Sequence, residues 1–151
     1  MNIKGFVAES NRIEGILRKP TNAEIEEHER FVALDKLTVE EVRRFLSVYQ
    51  PDAELRDRIG MDVRVGRYHP PPGSGRIILD LDLLLDDINK EIVDPDRAHA
   101  LYETLHPFTD GNGRSGRAIW YWMMRDNPMR TLGFLHAFYY QTLQRRRDDE
   151  R

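Results

Sequence analysis

The chain has 151 residues, 40% hydrophobic and 32% charged, a balance that suits one soluble globular domain with a real core. A net charge of −3 gives no electrostatic case for nucleic acid or an anionic membrane. Zero cysteines exclude a disulfide scaffold, a thiol nucleophile and cysteine-ligated zinc, and fit a cytoplasmic setting.

Taken from the N-terminus, Ser10-Asn11-Arg12-Ile13-Glu14-Gly15 reads as a short helix stopped by Gly15. No signal peptide is visible ahead of it, since Lys4 and Glu9 interrupt any apolar run. Thr21-Asn22-Ala23-Glu24 is a capping box that opens a helix through about Leu34, with Ile25, Phe31 and Val32 facing the core. His28 falls among glutamates on that helix and reads as a solvated side chain. Thr38-Val39-Glu40-Glu41 is a second capping box, with Val42, Phe45, Leu46 and Tyr49 on the buried face. Gln50-Pro51 ends that helix, and a short helical turn is expected from Asp52 to Arg58.

Periodicity then changes. Val63 and Val65 alternate with polar neighbours, and Ile77-Ile78-Leu79 is a short β-branched run. The prolines and glycines between Gly66 and Arg76 forbid a helix, so residues 62–80 read as a hairpin or extended flap. His69 has no partner at ligand spacing and is a flap residue, not a metal ligand. Leu81 to about Val93 is the next helix, turning Leu84, Leu85 and Ile88 inward. Asp80, Asp82, Asp86 and Asp87 interrupt the most apolar segment, Ile77 to Ile88, so nothing here spans a bilayer.

Asp94-Pro95-Asp96 is an N-cap with proline at the first helical position. Ala98, Leu101 and Leu105 then repeat at helical spacing, and Pro107 places His106 at the helix end. His99, two turns back, reads as structural or exposed. Next comes His106-Pro107-Phe108-Thr109-Asp110-Gly111-Asn112-Gly113-Arg114-Ser115-Gly116-Arg117. Gly111-Asn112-Gly113 can bring bare N–H groups close to a ligand, and a second helix is expected from about Arg114, burying Ile119, Trp122 and Met123. A glycine-rich turn opening onto a helix N-terminus, with Arg114 and Arg117 adding forked cations, is a recipe for a phosphate site. Asp110 is an oxygen ligand of the kind magnesium uses beside phosphates, and His106 suits a general base near neutral pH. No Gly-Lys-Ser/Thr follows the glycines, so the loop is not a Walker A motif. Met129 to Gln144 is a closing helix with Leu132, Leu135, Phe138, Tyr139 and Leu143 as packing residues. His136 on it is structural too, and Arg145 to Arg151 is a frayed charged tail.

The stretch from His106 to Arg117 resembles the Fic family motif, H-P-F-x-D/E-G-N-G-R-x-x-R, at every defined position. Ser10-x-x-x-Glu14-Gly15 is similar to the inhibitory motif S/T-x-x-x-E-G/N found in many members. The resemblance implies a mainly α fold: a Fic-type helical bundle around a central helix-loop-helix, with one small β-hairpin flap. It also implies a domain plan within 1–151: an inhibitory helix region at 1–18, the flap at 62–80, a catalytic helix-loop-helix at 94–125 and the tail at 145–151.

Activity and site roles follow from the same resemblance. The expected enzyme is a nucleotidyltransferase, moving AMP from magnesium-ATP to a Ser, Thr or Tyr hydroxyl of a target protein, self-modification included. His106 would be the base and Phe108 the anchor of the loop. Asp110 would bind magnesium, and Gly111, Asn112 and Gly113 would cradle phosphates, with Arg114 on the β/γ-phosphates and Arg117 on the γ-phosphate. Glu14 would pair with Arg117 and hold the enzyme back, with Ser10 opening that motif. Gly66, Arg67, Tyr68 and His69 of the flap would dock the target by strand-like pairing. Adenine contacts are unassigned, with Tyr139 and Tyr140 as weak candidates. Rival readings are a Fic enzyme that removes AMP or transfers another nucleotide or phosphoryl group, a weakly catalytic nucleotide-binding regulatory module, and a helical interaction protein. Oligomeric state, target and any separate antitoxin are open; action in another cell's cytosol would require secretion.

Overall fold

Five helices begin where a side-chain oxygen accepts an N–H of their first turn. Asn2 caps α1 (Ile3–Ile13), Thr21 caps α2 (Asn22–Val32), Thr38 caps α3 (Val39–Tyr49), Ser74 caps α4 (Gly75–Asn89) and Asp94 caps α5 (Pro95–Leu105). The sixth, α6 (Asn112–Met124), starts at Gly111 without any side-chain cap. The computed structural model describes residues 1–135, 137, 138 and 141, and its described residues are mainly helical, 130–135 among them. None of its helices is long and apolar enough to cross a membrane.

The central helix is α6. Side chains from Asn112 and Arg114 through Trp122 are buried around its whole circumference, as expected of a helix enclosed by others. It packs on α5, α2, α1 and α3. One core gathers Val42, Phe45, Leu81, Tyr102, Phe108 and Ile119; a smaller one joins Phe6 of α1 to Trp120, Tyr121, Phe134 and Phe138. The end of α1 is a Schellman turn: Ile16 N–H reaches the Asn11 carbonyl and Gly15 N–H the Arg12 carbonyl, with Gly15 at φ 79°.

Several expectations need correction. Ile77-Ile78-Leu79 is no strand but the first turns of α4, which starts six residues earlier than expected because Ser74 caps it and Ile77 opens a helical stripe with Leu81, Leu84, Leu85 and Ile88. Residues 63–68 hold an isolated bridge between Val65 and Tyr68 around Gly66-Arg67, so the hairpin is one rung long. The Asp52–Arg58 turn is not helical; Leu55 pairs with Phe108 in an antiparallel bridge. His28 is 1% exposed, not solvated, with its ring against Phe6, Phe45 and Tyr121. The Thr38 box is half made, because Glu41 turns to Arg30 instead of back to the cap. Leu132 and Leu135 are exposed, and Phe134 takes the buried place. Expectations for His136, Tyr139, Tyr140, Leu143 and the 145–151 tail lie outside the described residues.

Candidate active site

The loop from His106 to Gly111 is held from below. Phe108 is 1% exposed, and Asn112 locks the loop around it: its amide oxygen accepts Phe108 N–H at 3.0 Å and its Nδ2 donates to the Phe108 carbonyl at 2.8 Å. Beside the loop, Arg56 N–H donates to the Pro107 carbonyl (2.9 Å) and Thr109 N–H to the Glu54 carbonyl (2.8 Å). Gly111 needs to be glycine on two counts. Its φ is 78°, and a Cβ there would meet Leu46 Cδ2 at 2.6 Å.

His106 closes α5 in a left-handed conformation (φ 50°, ψ 61°), uncommon for a residue with a side chain. Arg56 holds it there. This fully buried guanidinium donates from Nε to the His106 carbonyl (2.7 Å) and from Nη2 to the Leu105 carbonyl (3.0 Å). Its Nη1 reaches the Met61 and Pro71 carbonyls (3.2 and 2.8 Å), tying the base of the flap segment to the end of α5. Burial pushes the His106 imidazole below its ordinary pKa, and the Arg56 charge adds to that against the opposing pull of Glu103 and Asp110. The ring is therefore neutral at pH 7, the form that accepts a proton.

Helix α6 then presents its uncapped end. Among the described residues the N–H groups of Asn112, Gly113 and Arg114 make no hydrogen bond; the first backbone bond is Ser115 N–H to the Gly111 carbonyl. Those donors face a cavity of about 400 Å³ whose lining also includes His106, Asp110, Glu14 and Arg114. One oxygen of Asp110 accepts Gly111 N–H at 2.8 Å. Among the described residues no cluster of three or more metal-ligating side chains occurs, so a cation here needs oxygens from a ligand to complete its shell. Exposed Asp110 beside unpaired backbone N–H donors would suit magnesium brought in with an anionic oxygen ligand.

Glu14 lies over this end. Its Oε1 accepts from Arg117 Nη2 at 2.7 Å, and its carboxylate occupies the space a side chain on Gly113 would fill. Arg117 also donates to the Ser10 hydroxyl (2.8 Å) and the Ser10 carbonyl (3.0 Å). Arg114 is turned into the protein, donating to the Tyr49 carbonyl, Gln50 Oε1 and Asn11 Oδ1.

The structure thus brings together His106, Asp110, Gly111, Asn112, Gly113, Arg114, Arg117, Ser10 and Glu14, with Phe108 beneath. The flap residues Gly66, Arg67, Tyr68 and His69 are exposed, and Val63 and Arg64 line the cavity in their place. Tyr68 is tethered through its hydroxyl to the Thr104 carbonyl at 2.6 Å. Sequence reading missed Arg56, Asn11, Gln50 and the approach of Glu24 Oε2 to Arg114 Nη1 at 3.6 Å. Asn11 sits inside the Ser10–Gly15 stretch and so had a signal; Arg56 had none, because its acceptors are backbone carbonyls, three of the four from distant segments. Compared with known families, the chain matches the Fic/DOC family over residues 27–124. No curated protein matches it.

Proposed function

The chain belongs to the Fic/DOC family, and from that premise we propose that it is a protein adenylyltransferase held in check by its own first helix. The observation that supports this most directly is the uncapped start of α6, where unpaired N–H groups, Asp110 and His106 face one cavity. In this reading the triphosphate lies on Gly111, Asn112 and Gly113, where the helix dipole and N–H donors favour anions. Asp110 holds magnesium, which when bound offsets phosphate charge. Arg117 takes the γ-phosphate once Glu14 leaves it, and Arg114 serves the β/γ-phosphates.

A target hydroxyl docked beside the 63–73 flap segment gives its proton to neutral His106. Its oxygen bonds to the α-phosphorus, the α–β bridging bond breaks, and pyrophosphate departs with the electron pair. The protein contributes position and fixed charge, the main sources of catalysis in such transfers. Glu14 opposes this by engaging Arg117 and by lying over Gly113, where it repels phosphate and blocks its approach.

The test is labelling of the Glu14→Gly protein with magnesium and ATP carrying label at the α- or γ-phosphate, read by mass spectrometry. The expected outcome is α-label on protein hydroxyls, roughly tenfold or more above wild type, and none with His106→Ala added. Incorporation of γ-label would instead mean phosphoryl transfer. Equal labelling of wild type and Glu14→Gly would remove the inhibitory role of Glu14.

A further inference from the structure

The two motif arginines differ in what holds them. Among the described residues, the acceptors of Arg117 all come from α1 and its C-cap: Ser10 Oγ, the Ser10 carbonyl and Glu14. Arg114, 5% exposed, is held mainly by the body of the protein, through the Tyr49 carbonyl at 2.7 Å and Gln50 Oε1 at 2.8 Å. Asn11 Oδ1 of α1 adds a weaker contact at 3.3 Å. Two carboxylates act on Arg114, Glu14 and, more strongly, one that belongs to neither α1 nor the motif. It is Glu24 of α2, whose Oε2 lies 3.6 Å from Arg114 Nη1.

Glu24 is itself 3% exposed. As N3 of α2 it accepts Thr21 N–H at 2.8 Å, then Arg18 at 2.8 and 3.2 Å and Asn11 Nδ2 at 3.4 Å. Burial favours its protonated form, but the Arg18 and Thr21 hydrogen bonds outweigh that and hold it below the usual carboxylate range, so it is charged at neutral pH. A buried guanidinium is costly without a counter-charge, and Glu24 supplies one whether or not α1 is docked.

We propose that Glu24 is a built-in counter-ion of Arg114 that competes with a nucleotide's terminal phosphates and so sets how strongly the site prefers a triphosphate over a monophosphate. The proposal rests on a triphosphate occupying the Gly111–Gly113 cradle. Glu14 and Glu24 differ in kind: Glu14 departs with α1, whereas Glu24 stays with α2. Releasing α1 therefore frees Arg117 completely and leaves Arg114 partly neutralised, with a second carboxylate behind it that repels the incoming charge.

The experiment compares ATP and AMP binding by calorimetry in the Glu14→Gly protein, with and without Glu24→Gln. Glutamine preserves the capping box, because its amide oxygen still accepts Thr21 N–H. Glu24→Gln is expected to tighten ATP roughly fivefold, a modest share of the Coulomb energy at this range, and to leave AMP within about twofold. Arg18→Met gives the opposite arm. Arg18 is half exposed, and its loss turns Glu24 more fully onto Arg114, so ATP should weaken. ATP affinity unchanged or weaker in Glu24→Gln, equal shifts for ATP and AMP, or no weakening in Arg18→Met would each overturn the proposal. If Glu14→Gly alone binds no ATP, the cradle reading fails first and the proposal falls with it.

Discussion

His28 and His106 are both depressed in pKa by burial, yet one is a candidate base and the other a liability in acid. His106 keeps a face on the cavity. His28 is enclosed by Phe6, Phe45 and Tyr121, and its Nε2 has no hydrogen-bond partner among the described residues. Burial lowers its pKa from 6.5 to about 4. The unfolded chain therefore binds more protons than the folded one between those values, so stability is complete above pH 6.5 and declines as pH falls toward 4. That gap corresponds to about 3 kcal/mol. Thermal unfolding of wild type should show a lower melting temperature at pH 5 than at pH 7, and His28→Leu should flatten that acid limb. An unchanged pH profile in His28→Leu would show that other groups carry the acid sensitivity.

At the scale of elements, the loop of the site depends on a segment that has no regular structure of its own. Residues 54–56 pair with 107–109, and Arg56 gathers the carbonyls of Leu105, His106, Met61 and Pro71. Replacing it with methionine takes the donor from four carbonyls, that of Leu105 buried and the other three partly so. Arg56→Met should cost about 2–4 kcal/mol in urea unfolding, and labelling in the Glu14→Gly background should fall with it. Stability within about 0.5 kcal/mol of the parent would show that water or the backbone replaces those bonds. The caps at Thr21, Thr38 and Asp94 and the glycine turn after His106 were legible in sequence, since these residues act on neighbours a few positions away, whereas the caps at Asn2 and Ser74 were not read. The pairing of 54–56 was not, because its partners lie some fifty positions on. Ile77-Ile78-Leu79 misled for a related reason: three β-branched or apolar residues in a row fit a strand, and Ser74 as a cap decided otherwise. His28 misled because two of its glutamate neighbours are buried with it, Glu24 against Arg18 and Glu27 against Arg30, while Glu26 and Glu29 alone face solvent as expected.

Across the whole molecule, α1 is an N-terminal helix bound on two fronts that lie far apart in the chain. Toward the site, Ser10, Asn11 and Glu14 hold Arg117 and Arg114. Away from it, Phe6 is 2% exposed among His28, Tyr121 and Phe134, and the N-terminal amine donates to Thr131 Oγ1 at 3.0 Å. Both α1 and Thr131 fall outside residues 27–124, so the family-matched region is bridged by segments from either side of it. If α1 acts as the inhibitory helix, inhibition and stability share Phe6 but not Glu14. Phe6→Ala should cost about 3–5 kcal/mol, speed amide exchange over residues 3–13, and raise self-labelling because α1 undocks more often. Glu14→Gly should raise labelling at a smaller stability cost, since it removes one hydrogen bond to Arg117 and no core packing. Labelling that stays at the wild-type level in Phe6→Ala, despite faster exchange in α1, would mean that undocking the helix is not what opens the site. The inhibitory role would then rest on Glu14 alone.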